Sequence, residues 1–184
     1  MKYEGTPIWK VLLDMDGVIV DNLVDLAMRE GMQPKEIVEK KSWMKKENPD
    51  FDYVVSLIRK HLYSGWHFEN APAMKSLPTF KKLIRHWLKN GVRVEILSSG
   101  CSGEDIYPEI CRQKELWLEK HGIGLLPTNY ARGSSEKYKW AGEGILLIDD
   151  YAKNIEQFRN AGGHGIIYQN VNTLMDELQY FSLL

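Results

Sequence analysis

Three apolar runs in this chain stop abruptly at polar side chains, and that pattern limits the folds open to it. The first, Val11-Leu12-Leu13, runs into Asp14-Met15-Asp16-Gly17, two carboxylates spaced i, i+2 and followed by a glycine. The second, Val92-Arg93-Val94-Glu95-Ile96-Leu97, runs into Ser98-Ser99-Gly100, and the third, Ile145-Leu146-Leu147-Ile148, into Asp149-Asp150. Short apolar runs of this kind read as strands buried on both faces, the situation in parallel sheets covered by helices. In an open parallel sheet all the strand ends lie along one edge, and ligands bind there. The pattern therefore predicts that Asp14, Asp16, Ser98, Asp149 and Asp150 meet at one edge, although they are far apart in sequence.

The intervening segments agree with an α/β alternation. Strands are expected at 8–13, 92–97, near 124–127, at 145–148 and at 165–168. Helices are expected over 78–90, where Phe80, Leu83, Ile84, Trp87 and Leu88 make one face and Asn90-Gly91 a stop, and over 104–121, 135–141, 152–161 and 171–180. The arrangement predicted is a Rossmann-like parallel sheet with helices on both faces. One segment breaks the alternation. Residues 22–30 and 34–47 (Pro34 at a helix start) and a helix from Asp50 to about Tyr63 follow one another with no convincing strand. The chain therefore divides into an alternating core, 1–21 and 73–184, and a small helical insert, 22–72.

Composition excludes several classes. With 184 residues, 43% hydrophobic and 27% charged, the chain suits one globular domain with an insert. A net charge of -1 implies no general affinity for polyanions. No apolar stretch approaches the roughly 18 residues of a membrane span, so no membrane partner is expected. Met1-Lys2-Tyr3-Glu4-Gly5 lacks a signal peptide's apolar region, and Cys101 and Cys111 have no metal-ligand spacing. A cytoplasmic protein is the expectation.

Two acids two residues apart at a strand end can supply a nucleophile and a general acid/base, and with Mg²⁺ can hold a phosphate. Asp14-x-Asp16-Gly17, Ser98 at a strand end, a lysine at 137 or 139, and Asp149-Asp150 occur in the order of the four motifs of the haloacid dehalogenase (HAD) superfamily. The chain resembles that superfamily over nearly its whole length, the segment from about 22 to 72 excepted, and the resemblance implies that this insert, 22–72, is a small helical cap. The resemblance implies a Mg²⁺-dependent phosphomonoester hydrolase. Asp14 would attack phosphorus to form an aspartyl-phosphate. Asp16 would protonate the leaving alcohol and then activate water. The Asp14 side chain, the Asp16 backbone carbonyl and Asp150, supported by Asp149, would bind Mg²⁺. Ser98, backbone N–H groups near Ser99, and a lysine would bind the phosphoryl group. A carboxylate at the second position is the phosphatase pattern, which phosphomutases also carry. Family members that dehalogenate keep different groups there.

The sequence does not decide between Lys137 and Lys139. On an α-helix they point about 200° apart, so only one can face the site. Asn154 reads either as a brace for the acidic loop or as an exposed helix residue. Within the superfamily, Asp14-Met15-Asp16-Gly17-Val18, Trp66-His67-Phe68-Glu69-Asn70 and Leu146-Leu147-Ile148-Asp149-Asp150 are similar to 5′(3′)-deoxyribonucleotidases. That resemblance implies a nucleoside monophosphate substrate, with Trp43, Phe51, Trp66 and Phe68 as candidates to stack on the base, although each is more often a cap-core residue. An alternative is a polynucleotide 3′-phosphatase, with Lys35, Lys40, Lys41, Lys45 and Lys46 along a nucleic-acid backbone. The interleaved Glu36, Glu39 and Glu47 favour a solvated helix face instead. A third reading is a catalytically silent phosphate-binding protein, which the intact acids and Ser98 oppose.

Overall fold

The computed structural model describes residues 5–21, 29, 31, 56, 60, 61, 67–100 and 104–184. The expected cap helices, with Trp43, Phe51, Trp66 and the lysines from 35 to 46, fall outside the described residues, as does Cys101.

Five strands, β1 (Lys10–Leu13), β2 (Arg93–Ser99), β3 (Thr128–Ala131), β4 (Ile145–Asp149) and β5 (His164–Ile167), form one sheet in the order β3-β2-β1-β4-β5. Every pairing is parallel. The central position belongs to β1, whose Leu13 sits in register with Ile96 of β2 and Ile148 of β4. The helices α1 (Leu77–Lys89), α2 (Tyr107–Lys120), α3 (Ala152–Asn160) and α4 (Val171–Tyr180) and a 3₁₀ helix, Ser134–Trp140, connect the strands.

Alternation along each strand sends side chains to opposite faces. Val11, Leu13, Ile96 and Ile148 face one way, onto Phe80 and Trp87 of α1, Trp117 and Leu118 of α2 and Leu174 and Leu178 of α4. Leu12, Leu97 and Leu147 face the other way, onto Ile155 and Phe158 of α3, with Trp140 at the margin. Both faces are thus covered, as continuous apolar runs require. Two buried indoles also tie distant segments together. Trp87 Nε1 donates to the Leu183 carbonyl (2.8 Å) and Trp117 Nε1 to that of Ala71 (2.8 Å).

Two expectations need correction. The strand placed near 124–127 lies instead at Thr128–Ala131. Ile123 and Leu126 are buried from a loop while Leu125 is fully exposed, so the apolar run was core filling rather than strand. The edge strand itself is half-buried and polar. The helix expected over 135–141 is a 3₁₀ helix, Ser134–Trp140.

Residues 19–21 lie beside residues 72–74. Val20 bridges Ala73, the Asp21 N–H donates to the Pro72 carbonyl (2.8 Å), and the Met74 N–H to that of Ile19 (2.9 Å). Among the described residues, no helix is long and apolar enough to cross a membrane.

Candidate active site

The central strand delivers the first acid. Asp14 continues the ladder by one bond, its N–H donating to the Ile148 carbonyl (3.0 Å), and its side chain is buried at the sheet edge. The chain then turns tightly. The N–H groups of Val18, Ile19 and Val20 all donate to the Met15 carbonyl, and that of Gly17 to Val20. Gly17 has φ +76°, and a Cβ there would collide with the Asp150 carboxylate. Only glycine meets both demands without strain.

Asp14 is held through one oxygen. Oδ1 accepts the Met15 N–H (2.8 Å) and pairs with Lys137 Nζ (2.8 Å). Lys137 also donates to Asp149 Oδ2 (2.7 Å), which accepts Asn154 Nδ2 (2.9 Å) as well, while Asp149 Oδ1 accepts the Tyr151 N–H (2.8 Å). Asp149 is therefore a fully engaged brace, and Asn154 is buried and supports it rather than facing solvent. Burial alone would push the Lys137 ammonium down, but the Asp14 and Asp149 charges outweigh it and hold it above its ordinary range. The choice left open by the sequence is answered by burial and contacts. Lys137 is buried between Asp14 and Asp149, whereas Lys139 points outward and pairs with Glu136 at 3.0 Å with a half-exposed side chain.

Asp14, Asp149 and Asp150 each offer a carboxylate oxygen, all within 4.8 Å of one another. Burial drives the Asp14 carboxyl up from an ordinary 3.8 to about 8; Lys137 opposes this, and Asp149, Asp16 and Asp150 add to it. Counting Asp16, four carboxylates crowd two buried ammonium groups, those of Lys137 and Lys114. Such an excess of negative charge fits a hard divalent cation with oxygen ligands.

Asp16 stands apart from the three-acid cluster. Its Oδ2 is 2.5 Å from Lys114 Nζ and 3.5 Å from the Ser98 hydroxyl, while its Oδ1 is buried and has no hydrogen-bond partner among the described residues. Ser98, buried at the end of β2, accepts from Lys114 (2.8 Å), and the Ser99 carbonyl accepts from the same ammonium (2.8 Å). Sequence reasoning missed Lys114. Its signal was present, because Ile110, Lys114, Trp117 and Leu118 fall at i, i+4, i+7 and i+8, which places a lysine on the apolar stripe of α2. Of the aromatic candidates, Phe68 is described. Its ring is buried, 4.9 Å from Lys114 Nζ, and its N–H donates to Gln113 Oε1 (3.1 Å).

This fold has known counterparts. No protein-family model matches the sequence, and no curated protein matches it. Among solved structures, the chain is similar to a hydrolase from Streptococcus pneumoniae, at 17% identity and a TM-score of 0.52, covering 97% of this chain and 100% of that one. It is similar to YfnB of Bacillus subtilis, described as a HAD-hydrolase and bound to magnesium, at 14% identity and a TM-score of 0.52 over 90% of each chain. It is also similar to L-2-haloacid dehalogenase from Xanthobacter autotrophicus, at 13% identity and a TM-score of 0.50, covering 94% of this chain and 82% of that one. The fold is thus the Rossmann-like α/β fold of HAD-type hydrolases.

Proposed function

We propose that this protein is a Mg²⁺-dependent phosphomonoester hydrolase that works through an aspartyl-phosphate on Asp14, and that its substrates are nucleoside monophosphates, as in 5′(3′)-deoxyribonucleotidases. One observation carries the hydrolase reading. Asp14 is tied by Oδ1 alone to Lys137 and Met15, beside Asp149 and Asp150, and a second acid, Asp16, stands two residues away. The dehalogenase is a neighbour in fold, but the carboxylate at position 16 favours phosphoryl transfer.

Asp14 and Asp150 are the side chains that would hold Mg²⁺, with Asp149 supporting them. Bound there, the cation would offset the charge between the carboxylates and the phosphoryl oxygens. Phosphoryl transfer asks mainly for positioning and charge stabilisation, and the residues divide that work. Lys137 holds Asp14 in place and adds positive charge beside the phosphoryl group. The second carboxylate oxygen of Asp14, Oδ2, forms the bond to phosphorus as the ester P–O bond breaks, and Asp16 gives its proton to the departing alkoxide. A water then loses a proton to Asp16 and attacks phosphorus, releasing Asp14 and inorganic phosphate. The likeness of Trp66-His67-Phe68-Glu69-Asn70 to deoxyribonucleotidases supports the substrate class.

Release of phosphate from p-nitrophenyl phosphate should require Mg²⁺ and vanish in Asp14→Asn. A panel of 5′- and 3′-deoxynucleotides against 3′-phosphorylated oligonucleotides tests the substrate. Preference for the oligonucleotide, with a steep loss on adding salt, would replace the nucleotidase reading with the polynucleotide one.

A further inference from the structure

A second lysine is buried at the same edge, and the hydrolase reading gives it no task. Lys114 is 1% exposed and reaches the edge from α2, a helix that contributes none of the four motifs. Its ammonium has three N–H groups, and three acceptors surround it: Asp16 Oδ2 at 2.5 Å, the Ser98 hydroxyl at 2.8 Å and the Ser99 carbonyl at 2.8 Å. Lysine is seldom buried this completely unless it is paired. All three of its donors converge on the ends of β1 and β2, the two strands that carry Asp16 and Ser98.

The contacts divide the two oxygens of Asp16. Oδ2 takes Lys114 and the longer bond from Ser98, whereas Oδ1 is buried without a partner among the described residues. A carboxylate free to rotate would exchange its oxygens and could swing toward the neighbouring acid cluster. We infer that Lys114 is a positioning residue for Asp16: its ammonium pins Oδ2 against Ser98, so that Oδ1 alone faces the leaving oxygen of the substrate and the side chain stays out of the Asp14–Asp149–Asp150 cluster. This rests on the phosphomonoesterase reading for its chemistry but not for its geometry. Phe68 keeps the clamp dry. Its ring lies over the ammonium, and its N–H is fastened to Gln113, the neighbour of Lys114 on α2. The connection returning from the insert is thereby joined to the same helix that holds the acid.

Lys114→Met keeps most of the length and the buried apolar stem and removes the three donors. The test compares it with the wild type, both loaded with Mg²⁺, on p-nitrophenyl phosphate, whose leaving group scarcely needs a proton, and on an alkyl phosphomonoester such as a 5′-deoxynucleotide, whose leaving group does. Proton transfer by a positioned side chain contributes about 10²–10⁴-fold. The alkyl ester should therefore lose about 100-fold or more in kcat, p-nitrophenyl phosphate less than about tenfold, with KM changed little for either. Lys114→Met combined with Asp16→Asn should be no slower than Asp16→Asn alone, because one residue acts through the other. Equal losses on both substrates, or additive losses in the double variant, would overturn the inference. If the wild type turned over no phosphoester at all, the hydrolase reading would fall while the geometry stayed testable. Crystals of Lys114→Met should show the Asp16 carboxylate displaced from its wild-type position, and an unmoved carboxylate would overturn the positioning role. Should Lys114→Met not fold, Lys114→Gln, shorter and with fewer donors, takes its place in the same comparisons.

Discussion

The two lysines of the 3₁₀ helix differ by two positions and by everything that surrounds them. Lys137 is buried between Asp14 and Asp149, while Lys139 meets Glu136 in solvent. Removing a group aimed at transition-state charge costs about 10²–10³-fold in rate, so Lys137→Met should lose that much in kcat. Exposed ion pairs contribute little, and Lys139→Met should stay within about twofold; steady-state kinetics on p-nitrophenyl phosphate compares the two. Gly17→Ala is the backbone counterpart. It places a side chain at φ +76° and against the Asp150 carboxylate. A strained φ of this kind costs of order 1–3 kcal/mol, to be read as a lowered denaturation midpoint in urea. At this scale the sequence exposed the acids and Ser98, because strand ends declare themselves through an apolar run and its abrupt stop. It did not decide between the lysines, since either could be the inward one until packing fixed how this short helix is turned against the sheet edge. Lys114 was not singled out, because its sequence neighbours Arg112, Gln113 and Glu115 are polar too and nothing in that short run marks one of them as buried.

Among the elements, α2 does the most joining. Trp117 is buried in the main core and donates to the Ala71 carbonyl, and Gln113 accepts the Phe68 N–H, so residues 68–71 are fastened to this helix at two points. Trp117→Phe keeps an aromatic ring and removes the donor. A buried acceptor left without its partner costs about 1–3 kcal/mol, and guanidinium unfolding should show that loss. Strands β1, β2 and β4 were legible within a residue or two, because central parallel strands are apolar throughout. The edge strand β3 was misplaced because it is short and polar, Thr-Asn-Tyr-Ala, while the apolar residues just before it fill the core from a loop.

Taken as a whole, the molecule gathers four carboxylates at the end of one sheet, and its stability should register the crowding. Asp14 has its carboxyl raised from 3.8 to about 8 by burial and by the neighbouring acids, against Lys137. Between those values the folded protein keeps a proton that the unfolded chain has released. Stability of the cation-free protein should therefore fall as pH climbs through this window and level off above about 8. Mg²⁺, binding the ionised cluster, should raise Tm more at pH 8 than at pH 5. Differential scanning fluorimetry with and without Mg²⁺ across that range checks both statements.

The central claim, that Asp14 carries the phosphoryl group between two half-reactions, can be read directly. Mg²⁺-loaded protein is mixed with a phosphomonoester it hydrolyses, quenched in acid within the first turnover, and its peptides are weighed by mass spectrometry. A phosphoryl group should appear on the peptide containing Asp14 and be absent from Asp14→Asn. Phosphate released at full rate with that peptide never modified, or a label that persists in Asp14→Asn, would contradict the account.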